Sequence, residues 1–211
     1  MTVGGATVDT GRRRLLGLSL GAIGMAVTGA TLSACAPDEG SSDEPTEVDV
    51  GFLTDMSAHH SQALVLCQRV LGGDVGTPVT AAAAEVLQNQ AIELGTMRAW
   101  LADWGQSTAP PETVMAWMHG GGGMPLAEMH GLASDAELAE LSRLDGLEQG
   151  RYWLELMSAH HEGGVTMAEA AVDLASSEKV IRLAETQAAV QSFEIEQYRQ
   201  LLDTTYALKT G

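Results

Sequence analysis

The pentapeptide MSAHH occurs twice, as Met56–His60 and Met157–His161. It holds His59, His60, His160 and His161, four of the six histidines in a chain of 211 residues. In each copy the methionine and the second histidine stand four residues apart, which on a helix stacks a thioether on an imidazole. Both groups are metal donors, and thioethers favour a soft ion. The same residues also admit a structural use, in which each imidazole bonds a Glu or Gln across a helical core and fixes register.

The two remaining histidines weigh between these uses. His119 and His130 each follow a methionine directly, and the sixteen residues from Met115 to His130 also contain Met115, Met118, Met124 and Met129. Methionines at helical spacing generally fill core gaps. These straddle Gly120–Gly123 and Pro125, which interrupt any continuous helical stripe. A flexible loop of thioethers and imidazoles suits Cu(I), with Ag(I) as its mimic, whereas zinc keeps thiolate or carboxylate company.

The elements that must position these groups follow from a longer repeat. At a constant offset of 101, residues 52–104 fall on 153–205 without a gap: Phe52 on Trp153, Gln90 on Gln191, Glu93 on Glu194, Arg98 on Arg199. Breaks at Gly72-Gly73, Gly76–Pro78, Pro110-Pro111 and Gly120–Gly123 bound helices predicted over roughly 50–71, 79–104, 147–175 and 178–207. Ser134–Glu137 reads as a capping box opening a shorter helix to Leu144. One hairpin written twice buries its apolar stripe only against its copy. The expectation is an all-α four-helix bundle over 50–207 with pseudo-twofold symmetry, and 105–146 as a Met-rich insert.

Helical periodicity places His60 inside the stripe of Phe52, Leu53, Met56, Ala63 and Cys67, with His59 at its edge. The second helix carries Gln90, Glu93 and Met97 inward, and the fourth carries Gln191, Glu194 and Tyr198 at the same places. Glu93 and Glu194, with Gln90 and Gln191, are then expected to orient the imidazoles from behind, and Met97 to add a thioether.

Outside the bundle the chain reads as an export signal and a tether. Arg12–Arg14, an apolar run from Leu15 to Ala30, and Leu32-Ser33-Ala34-Cys35 resemble a bacterial lipoprotein signal, with a partial likeness to a twin-arginine signal. Cleavage after residue 34 would leave a lipid on Cys35, an acidic disordered tether over 35–49, and the domain on the outer face of the cytoplasmic membrane. Removing Arg12, Arg13, Arg14 and Asp9 leaves 8 Lys+Arg against 27 Asp+Glu, a net charge of −19. Such a surface argues against nucleic acid and draws cations. Cys67, left without a thiol partner, is either buried and inert or a soft ligand.

Phe52-Leu53 before Met56 and His59-His60, the Gln90…Glu93…Met97…Trp100-Leu101 helix, the Met-rich loop and Leu156-Met157…His160-His161-Glu162-Gly163 together resemble the bacterial family called domain of unknown function 305. The resemblance covers about 50–206, with Gly120–Gly123 as a departure inside the loop. It implies an exported, ferritin-like four-helix bundle, and copper- or silver-binding proteins linked to metal tolerance among its members.

Three functions compete. The leading one is a non-enzymatic, lipid-anchored Cu(I) or Ag(I) protein that buffers or relays metal. A ferritin-like di-metal oxidoreductase needs Glu-x-x-His motifs and several inward acids. No histidine here has a glutamate three residues before it, and only Glu93 and Glu194 are clearly inward. A purely structural or interaction module is the third. No catalytic constellation and no organic cofactor signature is present in the sequence, and any delivery partner is left open.

Overall fold

A computed structural model describes residues 44–118 and 120–208. The expected signal, the Cys35 lipid site, most of the tether and His119 lie outside them. Four long helices dominate the described residues: α1 (Glu47–Val70), α2 (Thr77–Asp103), α4 (Gly146–Leu174) and α5 (Glu178–Asp203). A short α3 (Asp135–Arg143) precedes α4, and two two-residue strands, β1 (Thr113–Val114) and β2 (Met124–Pro125), pair antiparallel in the insert. The expected all-α bundle of two repeated hairpins is what forms. None of the described helices is long and apolar enough to cross a membrane.

Local chemistry sets the helix ends. Ser134 and Glu137 form the anticipated capping box at α3. A second box was not anticipated: Thr46 caps α1 while Asp49 bonds back to the Thr46 backbone. The helix therefore begins at Glu47, and residues 47–49, assigned to the tether, belong to the bundle. The other Asp49 oxygen accepts from the Ser176 and Ser177 backbone N–H groups at 3.2 and 2.9 Å. One buried carboxylate thus satisfies orphan donors at the starts of two helices.

Two apolar clusters hold the bundle, one at each end. One gathers Ala63, Leu66, Cys67 and Val70 of α1, Val79–Val86 of α2, Trp153–Met157 of α4, and Tyr198. The other gathers Phe52, Leu53, Met56, Met97, Leu101, Met167, Ala168 and Val180. Full burial of such a side chain stabilises by about 1.5–3 kcal/mol. Each end takes the start of α1 or α2 with the finish of the other, so α1 and α4 run antiparallel, as do α2 and α5. Between the clusters every long helix contributes polar groups at one level: His59 and His60, Gln90, His160 and His161, and Gln187 through Glu194. The core is two apolar halves divided by a polar layer.

Candidate metal centre

All four helical histidines are fully buried. His59, expected at the edge of its stripe, lies at the centre because α1 is covered by α4 as well as by α2. Its ring stacks on His160 with centroids 3.7 Å apart, and His160 Nε2 donates to the His59 carbonyl at 3.0 Å. Burial, then the neighbouring histidines, holds both imidazoles well below their usual pKa, so both stay neutral near pH 7.

His60 and His161 point outward from this pair, each toward a glutamate. His60 Nε2 lies 2.7 Å from Glu93 Oε2, which also accepts from Gln187 Nε2 at 2.9 Å. Burial raises the Glu93 carboxyl, and its bonds from His60 and Gln187 outweigh that, leaving it lowered overall. The second copy differs. Glu194 Oε2 is also 2.7 Å from His161 Nε2, but the pair makes no hydrogen bond. Val86 stands where Gln187 stands in the other copy, and Tyr198 replaces Met97, its ring 5.7 Å from that of His161. Met97 Sδ sits 4.0 Å from Gln187 Nε2, on the His60 side.

The ring nitrogens sort in an informative way. His60 and His160 each commit Nε2 to an oxygen, which leaves Nδ1 as the lone-pair nitrogen. Those two Nδ1 atoms and both ring nitrogens of His59 and of His161 are buried without a hydrogen-bond partner. Metal-bound histidines follow this pattern, giving the opposite N–H to a carboxylate or carbonyl. Among the described residues no three His, Cys, Asp or Glu side chains converge into a metal cage. A tetrahedral zinc-type or carboxylate-rich di-metal site is therefore not preformed. Imidazole is the donor the layer itself offers, with the Met97 sulfur next to it on the His60 side.

The described residues of the insert are tied to the bundle at several points. Asp55 Oδ2 accepts from the Met115 N–H at 2.7 Å and from Trp117 Nε1 at 2.9 Å, holding Met115 at a φ of 65°, unusual for a non-glycine residue. Gln62 exchanges both amide bonds with Ala133, at 2.7 and 2.8 Å. On α4, Gly163 lets the insert approach so closely that a Cβ would collide with the His130 carbonyl. Met115 and Met129 are buried, and Met118 and Met124 half-buried, all in the cluster of Met56, Met97 and Met167. Seven of the eight methionines after Met25 thus line one end of the core, and Met157 alone sits in the other cluster. His130 presents its side chain to solvent, apart from the buried histidines. Cys67 is buried, its thiol pushed up to about 12 by burial and then by Glu194, which keeps it protonated.

Asp55, Gln62 and Gln187 escaped the sequence reading. All three are places where the repeat breaks, polar in one copy against Leu156, Gly163 and Val86 in the other. Replacing Asp55 with alanine strands the Met115 and Trp117 donors, and should cost about 1–3 kcal/mol of stability. Denaturant unfolding followed by helicity measures it; an unchanged midpoint would show the clamp to be idle.

A four-helix bundle of duplicated hairpins with a buried histidine layer and a clamped Met-rich insert defines the class of protein. The chain belongs to the family described as domain of unknown function (DUF305), whose profile matches residues 49–202. It is similar to a Streptomyces coelicolor protein of that family described as secreted, with 34% identity over 78% of this chain and 97% of that one, at a TM-score of 0.70. It is also similar to a DUF305 fragment from Deinococcus radiodurans, with 32% identity over 75% of this chain and 97% of that one, at a TM-score of 0.64. CopM in its Cu(I)-bound form shares the fold, with 21% identity over 75% and 98% of the two chains and a TM-score of 0.58. No curated protein matches the chain.

Proposed function

We propose that this is an extracytoplasmic, lipid-anchored metal-binding protein that takes Cu(I), and its mimic Ag(I), at the histidine layer, and that it buffers or relays the ion without catalysing a reaction. The observation that carries the reading is the cluster of buried ring nitrogens without a hydrogen-bond partner: Nδ1 of His60 and of His160, whose Nε2 atoms are committed to oxygen, and both nitrogens of His59 and of His161. His60 and His161 would be the anchoring ligands, with His59 and His160 between them and Met56, Met97 and Met157 as thioethers. Glu93, Glu194, Gln90 and Gln191 would set the ring orientations. The insert methionines adjoin the Met56 and Met97 end of the core, which suits added capacity for soft ions. The acidic surface and a shared fold with a protein known in copper-bound forms agree with this.

The test is competition with a Cu(I) chelator, with metal content measured after anaerobic and aerobic purification. Wild type should take up monovalent metal under anaerobic conditions. Replacing Met115, Met118, Met124 and Met129 with leucine should lower stoichiometry or Ag(I) capacity while the protein stays folded, since Met-to-Leu changes conserve volume. A wild type that takes up no monovalent metal would return the histidines to a structural role.

A further inference from the structure

The layer is enclosed on most sides. α1 and α4 pack against each other through His59 and His160, and the His130-Gly131 backbone lies against Ala159, His160 and Gly163. Between α2 and α5 the packing is looser, and a narrow cleft opens with a volume of about 10 Å³, near the space one water needs. It is lined by Gln90 and Glu93 from α2 and by Gln187, Gln191 and Glu194 from α5, with Asn89 and Val190 at pseudo-equivalent places.

The lining runs from water to the two carboxylates that touch the imidazoles, and no histidine lines the cleft itself. The Glu93 and Glu194 side chains are 22% and 11% exposed, while the histidines that they touch are wholly buried. The amide oxygens of Gln90, Gln187 and Gln191 are buried and without a hydrogen-bond partner, although each residue lines the cleft. Carbonyl and carboxylate oxygens can replace water around a cation, yet they bind a soft ion weakly. A lining of that kind admits such an ion without retaining it.

Resting on the metal-binding reading above, we infer that the α2–α5 cleft is the entry route for a monovalent soft cation. Glu93 and Glu194 are its first, transient ligands, and the glutamine oxygens stand in for shed water on the way to the imidazoles. The ion then leaves the carboxylates for the unpartnered ring nitrogens, at His60 the Nδ1 lone pair, since Nε2 keeps its proton on Glu93, and no oxygen ligand stays behind.

The test separates rate from equilibrium by following Ag(I) uptake with a silver electrode in rapid mixing. Asn89→Trp/Val190→Trp should slow uptake and release alike by roughly tenfold or more, a barrier effect that leaves the affinity unchanged. Val65→Trp, on the outer face of α1, should load like wild type. The single variants Asn89→Trp and Val190→Trp repeat the test should the double variant misfold. Wild-type uptake should slow with added salt, and Glu93→Gln/Glu194→Gln should remove that dependence, which a merely structural role would not. Plugged variants that load as fast as wild type would overturn the route and leave the metal site standing. A wild type that binds no Ag(I) would overturn both.

Discussion

His60→Ala/His161→Ala is expected to abolish tight Cu(I) binding, a larger loss than the ~10–100-fold typical of removing an outer partner of a ligand. Glu93→Gln should fall within that smaller range, because the amide still accepts from His60 Nε2 without the charge that strengthens the imidazole as a donor. The double substitution should leave the fold intact. The two glutamates keep 22% and 11% exposure, so each has access to water once its imidazole is gone. Chelator competition on the three proteins, with helicity and melting followed in parallel, decides the matter. Equal Cu(I) affinity in all three would assign the histidines to register and packing alone. Loss of binding together with loss of helicity would leave the Glu93→Gln series as the deciding measurement.

The second large effect is a loss of metal-free stability below pH 6.5. His59 and His160 are buried neutral, their pKa values held well under 6.5 first by desolvation and then by each other's surroundings of histidine. In the unfolded chain both protonate near 6.5. Between that value and the lower folded one, the unfolded state binds more protons, so stability is fully present above 6.5 and falls with the pH. The slope is about 1.4 kcal/mol per pH unit for each imidazole, and levels off below the folded pKa. Urea unfolding of the metal-free protein at a series of pH values from 7.5 to 5.5 measures it, and His160→Leu should halve the slope. A flat profile would mean that the layer admits protons at no cost. Glu93 works in the same sense but lower, as its lowered carboxyl gives up stability only when the pH falls below 4.5. Asp55 opposes it. Burial raises that carboxyl above 3.8 against its two bonds, so the folded state holds the proton more tightly there.

Much of this was legible in the residues. A gapless offset of 101 requires two equal hairpins, and two equal apolar stripes bury only against each other, so the bundle follows from the repeat. The same symmetry places His60 opposite Glu93 and His161 opposite Glu194, since both pairs share the stripe at one level of the bundle. What the sequence could not supply was the set of contacts that break the symmetry. Asp55 and Gln62 reach 60 and 71 residues along the chain to hold the insert, and nothing local to α1 announces those partners. Helical periodicity put His59 at an edge because it counts one helix at a time, whereas burial is decided by the second helix that covers that edge. The Met-rich stretch read as a loop for its glycines and proline, and only the tertiary structure turned Met115 and Met129 into core. The repeat determined the scaffold and its buried histidines, because periodicity is a local property that duplication preserves. The clamped insert and the looser α2–α5 seam came from packing between distant segments, which a one-dimensional pattern does not encode.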